Sequence, residues 1–422
     1  MINNCRQWMS VRVLTFILIA LISFPATAFG ATKTVRKKPA RSKKAAVTRK
    51  TTAHTAARAA SKRPALKARR PSPRRKTPVR KVHFKPNTMA HFLTAKVAGG
   101  PWTVPTHADS TVGDYIDGED LVVRRAAVEA LGGYNGAVVA VNADTGRILT
   151  MVNQKVALGQ GYQPCSTIKV PVSLAALNEG LVTRTTPITL YGRTRMAMTE
   201  ALAKSNNHYF ANLGVRMGFD RFSYYAKLFG YGEKAGLEIP GEHPGHFPAQ
   251  APINGGVGML TSFGETIRQT PLQLAAFMAA VANGGTLYYL QYPRSLQEAG
   301  MLVPRVKRQL DIRQHIPDVL PGMLGAVMFG TARRAGGEDM VAGKTGTCTD
   351  GNTHLGWFGA FNNSGEKKLV VVVMLTGGRG ISGGTAAGVA GELYRRLSEE
   401  KYFEQRIPLT PAALIFNPLS TN

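Results

Sequence analysis

The first 108 residues of this chain contain no aspartate or glutamate; Asp109 is the first acidic side chain. The same stretch holds 24 of the 53 lysines and arginines, so nearly all of the formal net charge of +28 resides there. From Asp109 onward, 29 basic residues face 25 acidic ones, and this near-neutral part is long enough to bury a large core. Cysteine is scarce as well. Three in 422 residues exclude a disulfide framework, and with Cys5 in the leader only Cys165 and Cys348 remain. No internal repeat is present, which excludes solenoids and arrays.

The leader, residues 1–30, has Arg6 and Arg12 ahead of an apolar core over 13–24, followed by the small residues Ala26-Thr27-Ala28. This is the pattern of an export signal. No charge occurs over 13–32, a length that spans a bilayer, so the segment is either a cleaved signal peptide or an uncleaved anchor, and Pro25 favours cleavage. Both readings place the body in the periplasm or cell envelope. Residues 31–100, rich in Lys, Arg, Ala, Thr and Pro without apolar periodicity, are expected to form a disordered basic linker. Inside a cell this composition would suit nucleic acid. Behind an export signal the anionic partners are a membrane surface or cell-wall polymers, with no nucleic acid, and a plain solvated spacer is the equal alternative.

Order is expected from near Trp102, in a domain over 101–405 with an irregular tail over 406–422. The pattern predicts a helix over 121–131 stopped by Gly132-Gly133, then short strands over 137–141 and 148–152 joined through Asn142-Ala143-Asp144-Thr145-Gly146. A helix follows over 166–181 with Pro171 inside it. A mostly helical insertion extends over about 166–335, clearest at 198–217 and 271–282. Strands return over 340–347, 354–361 and 368–375, and a glycine-rich loop over 377–384 leads into a closing helix over 386–397. That order implies an α+β fold, an antiparallel sheet flanked by helices with an all-helical subdomain inserted.

Three short motifs carry the chemistry. Ser166-Thr167-Ile168-Lys169 puts a hydroxyl and an amine three positions apart, on one helical face, where a desolvated lysine can deprotonate a serine. Alone it is weak, since S-x-x-K arises by chance on the order of once in a chain this long. Lys344-Thr345-Gly346-Thr347 is rarer, about once in a hundred such chains. Between them stands Ser205-Asn206-Asn207. In this order the S-x-x-K, S-x-N and K-T-G motifs resemble those of penicillin-binding proteins and serine β-lactamases. The resemblance to the transpeptidase domains of penicillin-binding proteins covers 136–397. It extends to Asp144-Thr145-Gly146, Phe229-Gly230-Tyr231-Gly232, Ile239-Pro240-Gly241-Glu242, Thr270-Pro271-Leu272-Gln273-Leu274-Ala275 and Trp357-Phe358.

That resemblance implies a β-lactamase/transpeptidase-like fold and a D,D-transpeptidase acting on D-Ala-D-Ala peptidoglycan stem peptides, acylated by β-lactam antibiotics and needing no cofactor. By the same resemblance Ser166 is the nucleophile and Lys169 its base. Ser205 and Lys344 relay a proton to the leaving D-alanine, and Asn207 holds the substrate amide. Thr345 and Thr347 bind the terminal carboxylate, and the backbone amides of Ser166 and Thr347 form the oxyanion hole. The fold also implies that Cys165 and Cys348 face each other, as a disulfide or as two buried thiols, with export favouring the bridge.

Rival readings remain. Ser166 to Pro171 also looks like the nucleophile segment of class D β-lactamases, although Asn207 stands where those enzymes usually have an apolar residue. A D,D-carboxypeptidase is the other enzymatic alternative. A non-catalytic wall-binding or antibiotic-sensing protein is the alternative of another class. Glu242 stands near the place of the class A hydrolytic glutamate, but in a P-G-E-x-x-G segment similar to transpeptidases. Gly343-Lys344-Thr345 fails the P-loop spacing, because Glu338 occupies the position that requires glycine. His243 and His246 have metal-like spacing but no third ligand nearby, and no metal is expected.

Overall fold

The computed structural model describes residues 102–190, 192–336, 341–363, 365 and 367–404. The expected leader, the basic linker and the tail over 406–422 lie outside the described residues. Among the described residues, no helix is long and apolar enough to cross a membrane.

In chain order, the elements that frame the site are helix α1 (Leu121–Leu131), strands β1 (Gly136–Asn142) and β2 (Ile148–Val152), and helices α2 (Lys169–Asn178), α3 (Met198–Ala203) and α4 (Asn207–Met217). They continue with α5 (Phe219–Leu228), α6 (Gly256–Phe263), α7 (Pro271–Ala282) and α8 (Ile316–Met328). Strands β3 (Val341–Asp350), β4 (Thr353–Asn362) and β5 (Leu369–Gly377) and helix α9 (Gly383–Glu399) complete the set. The five strands form one antiparallel sheet in the order β2-β1-β5-β4-β3, which leaves β3 at an edge.

Local chemistry explains these choices. The β1–β2 hairpin closes where the Asn142 side chain accepts from the backbone amides of Asp144, at 2.9 Å, and Thr145, at 3.1 Å. Helix α1 begins at Asp120, whose carboxylate accepts from Val122 and Val123. Helix α7 carries a reciprocal Thr270–Gln273 capping box with Pro271 at its start. Strand β5 is apolar along almost its whole length because both faces of the sheet are covered. Val370, Val372 and Met374 join the core beneath α2 and α7, whereas Leu369, Val371, Val373 and Leu375 join the core beneath α1 and α9.

Three expectations need correction. The helix expected over 166–181 begins instead as a 3₁₀ turn, Cys165–Ile168, and becomes α-helical over Lys169–Asn178. In a 3₁₀ turn residues three apart eclipse, which aligns Ser166 with Lys169 more closely than an α-helix would. Pro171 falls in the first turn of α2, where a missing N–H is tolerated. The helix expected over 198–217 is two helices, broken at Lys204-Ser205-Asn206. The insertion is also not all-helical. It includes the two-stranded sheets Ile188–Thr189 with Arg195–Met196 and Thr286–Tyr288 with Val306–Gln309.

Candidate active site

The break between α3 and α4 is a helix stop built around one residue. Ser205 N–H bonds to Leu202 O at 3.2 Å and Asn206 N–H to Ala201 O at 2.9 Å, the paired bonds of a Schellman motif with Ser205 in the left-handed position at φ +57°. Glycine normally occupies that position, because a side chain there costs about 1 kcal/mol or more. The Asn206 side chain then caps α4 by accepting from Tyr209 N at 2.9 Å. The result turns the Ser205 hydroxyl toward Lys169, at 3.2 Å from Nζ.

Lys169 Nζ is the hub. It lies 2.6 Å from Ser166 Oγ and 2.6 Å from Asn207 Oδ1, and 3.3 Å from the Ser205 carbonyl. The rings of Phe210 and Phe263 flank it at 5.8 and 5.7 Å. The side chain is wholly buried, and burial first and the nearby Lys344 second lower its pKa to about 6. Burial likewise brings Lys344 down to about 7. At neutral pH, therefore, Lys169 is largely an unprotonated amine in hydrogen-bond reach of a serine hydroxyl.

Strand β3 closes the other side. A Cβ on Gly346 would lie 2.8 Å from Pro164 O and 3.1 Å from Trp357 Cβ, so only glycine lets the edge strand run against the turn that carries Ser166. On that turn Cys165 also adopts a left-handed backbone, at φ +51°, and its sulfur is bonded to that of Cys348, with the Cα atoms 5.6 Å apart. The bridge therefore ties the residue before Ser166 to the residue after Thr347. Two strained non-glycine residues thus flank one cluster of hydroxyls and amines, a concentration typical of functional sites.

Of the residues singled out from sequence, Ser166, Lys169, Ser205 and Asn207 converge directly. Lys344 acts on Lys169 through its charge, but its ammonium donates to Thr345 O at 3.1 Å, and it makes no hydrogen bond to Ser205. The Thr345 hydroxyl is buried and shared with Thr331 Oγ1 at 2.5 Å. Thr347 is exposed, and its hydroxyl accepts from Gly383 N at the start of α9 at 2.8 Å.

A family profile described as the penicillin binding protein transpeptidase domain matches residues 136–399, more than half of the chain and all of the elements from β1 to α9. The chain belongs to the penicillin-binding protein transpeptidase family. Stage V sporulation protein D of Bacillus subtilis is 29% identical over 283 residues, covering 58% of this chain and 43% of that protein. Peptidoglycan D,D-transpeptidase MrdA of Haemophilus influenzae is 26% identical over 374 residues, covering 68% and 56% respectively. The chain thus spans about half the length of the curated relatives it matches. A crystal structure of Pseudomonas aeruginosa PBP2 in complex with WCK 5153 shares the fold, with a TM-score of 0.57 at 24% identity over 71% of this chain and 81% of that one.

Within this transpeptidase domain, several contributors were not evident from sequence. Thr331 follows α8, bonds its backbone amide to Ala203 O at 3.2 Å and reaches the Thr345 hydroxyl, which joins the Ser205 loop to β3. Phe210 and Phe263 place their rings beside Lys169 and help to bury it; no motif marks them, since both read as ordinary helix residues. Asn206 could have been recognised, because a helical pattern interrupted by Ser-Asn-Asn contains its own N-cap. Glu242 is spent on structure, with its carboxylate accepting from the Ala235 and Gly236 amides at 2.6 and 3.0 Å. His243 Nδ1 accepts from Gly245 N at 3.0 Å, and no metal-binding cluster occurs among the described residues.

Proposed function

We propose that this chain is a serine D,D-transpeptidase of the bacterial cell envelope, which takes an acyl group from a D-Ala-D-Ala stem peptide onto Ser166 and passes it to an amine. One observation carries the reading: a buried, largely neutral Lys169 amine 2.6 Å from the Ser166 hydroxyl. Neutral Lys169 accepts the serine proton as Oγ attacks the penultimate D-alanine carbonyl. Backbone amides of Ser166 and Thr347 stabilise the oxyanion, with Gly346 holding edge strand and turn together. The proton travels through Ser205 to the departing D-alanine. Lys344, protonated when a carboxylate arrives, fixes the substrate terminus with Thr345 and Thr347. Asn207 Oδ1 is committed to Lys169, which leaves its amide N–H groups to hold a substrate carbonyl.

Penicillins acylate the same serine, because their strained amide presents the same carbonyl and carboxylate. Slow deacylation is favoured by the fate of Glu242, whose oxygens are occupied by backbone amides and unavailable to activate water. Export by the N-terminal segment fits this substrate. The basic linker, with its surplus of cations, is suited to an anionic wall polymer or membrane surface. A labelled penicillin should be recovered covalently on the peptide bearing Ser166, and Ser166→Ala should take up none. Rapid release of hydrolysed drug would instead make the protein a β-lactamase.

A further inference from the structure

Transfer from an acyl-enzyme to an amine requires a place for the amine, and among the described residues the groups in contact with Lys169 are hydroxyls, a backbone carbonyl and an amide oxygen, with no carboxylate to pair with an incoming ammonium. The inference that follows rests on the transpeptidase reading and names its second substrate site.

Helix α6 ends at Gly264 after delivering the Phe263 ring to Lys169. Its continuation, Glu265, turns back to the nucleophile turn, where Oε2 accepts from Gln163 Nε2 at 3.1 Å. Gln163 in turn accepts from Trp357 Nε1 through its carbonyl at 3.0 Å and leads through Pro164 to Cys165 and Ser166. Glu265 therefore stands at the rim of the turn that carries the nucleophile. Beside it opens a cavity of about 390 Å³, bounded by Pro248, Gln250, Pro252, Ile253, Asn254 and Thr266. Among the described residues lining it, Glu265 is the only charged one. Among the described residues its second oxygen, Oε1, has no hydrogen-bond partner, and no lysine or arginine of that set pairs with it. The nearby guanidinium of Arg268 is already paired with Asp350.

An unpaired carboxylate facing a small cavity, with no other charged side chain among the described residues that line it, selects a cation. A single carboxylate among hydroxyl and amide groups suits an ammonium with three donors, whereas a divalent metal would need several hard oxygen ligands. We propose that this cavity is the acceptor subsite, and that Glu265 binds the primary ammonium of the acceptor stem peptide and brings it to the acyl-enzyme. The bound ammonium sheds one proton to water, and the free amine attacks the ester carbonyl. A C–N bond forms, the C–O bond to Ser166 breaks, and the second nitrogen proton passes through Lys169 to Ser166 Oγ.

The test uses the full chain acylated from a D-Ala-D-Ala peptide thioester, with a lysine-containing tripeptide as acceptor. The quantity read is the ratio of amide product to hydrolysed product, which normalises for the rate of acyl-enzyme formation. Glu265→Gln should lower that ratio about tenfold, the size of one charge-assisted hydrogen bond, and Glu265→Asp should restore part of it. Should Glu265→Gln form no acyl-enzyme, Ile253→Lys decides instead, because it sets a cation in the cavity without touching the Gln163 contact and should also lower the ratio. An unchanged ratio in the variant that can be read overturns the subsite. Failure of the unmutated protein to form any acyl-enzyme would overturn the transpeptidase reading itself.

Discussion

Replacing Lys169 by methionine should abolish acylation and, in the same molecule, stabilise the fold. The amine is fully buried, with a pKa lowered to about 6, whereas a lysine in the unfolded chain keeps about 10.4. Between those values the unfolded chain holds a proton that the folded chain has shed, so stability rises with pH across the window and is well short of its full value at pH 7. At about 1.4 kcal/mol per tenfold, the deficit at pH 7 is about 5 kcal/mol. Methionine has a similar length and no such deficit. It forfeits the amine's contacts with Ser166 and Asn207, about 1 kcal/mol each and somewhat more because both partners lose a bond. The net gain should be about 2 kcal/mol at pH 7, or about 4 °C in Tm, and it should disappear by about pH 9 as the deficit shrinks. Acylation by a fluorescent penicillin should fall about a thousandfold. Urea titrations at both pH values, run beside the labelling assay, check each part. A variant less stable than the parent at pH 7, an equal difference at both pH values, or labelling at the parent rate would each refute the reasoning.

Ser205→Gly should stabilise the protein by about 1 kcal/mol, because glycine accepts the left-handed backbone freely, yet slow acylation for want of the hydroxyl; thermal melting and labelling together check this. Gly346→Val should displace the nucleophile turn from β3, since its first side-chain atom would meet Pro164 O, and a variant that is folded by circular dichroism but labels normally would contradict this. The Cys165–Cys348 bridge closes a loop of 183 residues, so the double serine variant should lose about 3–5 kcal/mol in denaturant titration. Alkylation of both thiols in the non-reduced protein would show the bridge absent.

Most of the frame was legible because periodicity and turn chemistry are local. The boundaries of α1, β2 and α7 fall where the pattern predicts them. The break at Ser205 left only a faint trace, the N-cap residue Asn206, since Met198 to Met217 keeps a helical apolar stripe across it and the left-handed backbone of Ser205 is invisible in sequence. Within the site, sequence spacing identifies which residues meet but not how. The 3₁₀ turn beneath Ser166, the Thr331–Thr345 pairing and the missing Lys344–Ser205 bond all depend on contacts between segments far apart in the chain. Phe210 and Phe263 left no trace in the motifs, although they set the apolar environment on which the chemistry depends.

The central claim is that one lysine acts neutral and the other acts charged. Lys169 must be deprotonated, which holds above about pH 6, and Lys344 must be protonated, which holds below about pH 7. Interacting in one buried site, the pair titrates together. The second-order rate constant for acylation of Ser166 by a penicillin, measured between about pH 5 and 9, should therefore trace a narrow bell with its maximum between about pH 6 and 7. A rate that still climbs beyond about pH 8, as ordinary lysines would require, would contradict the account.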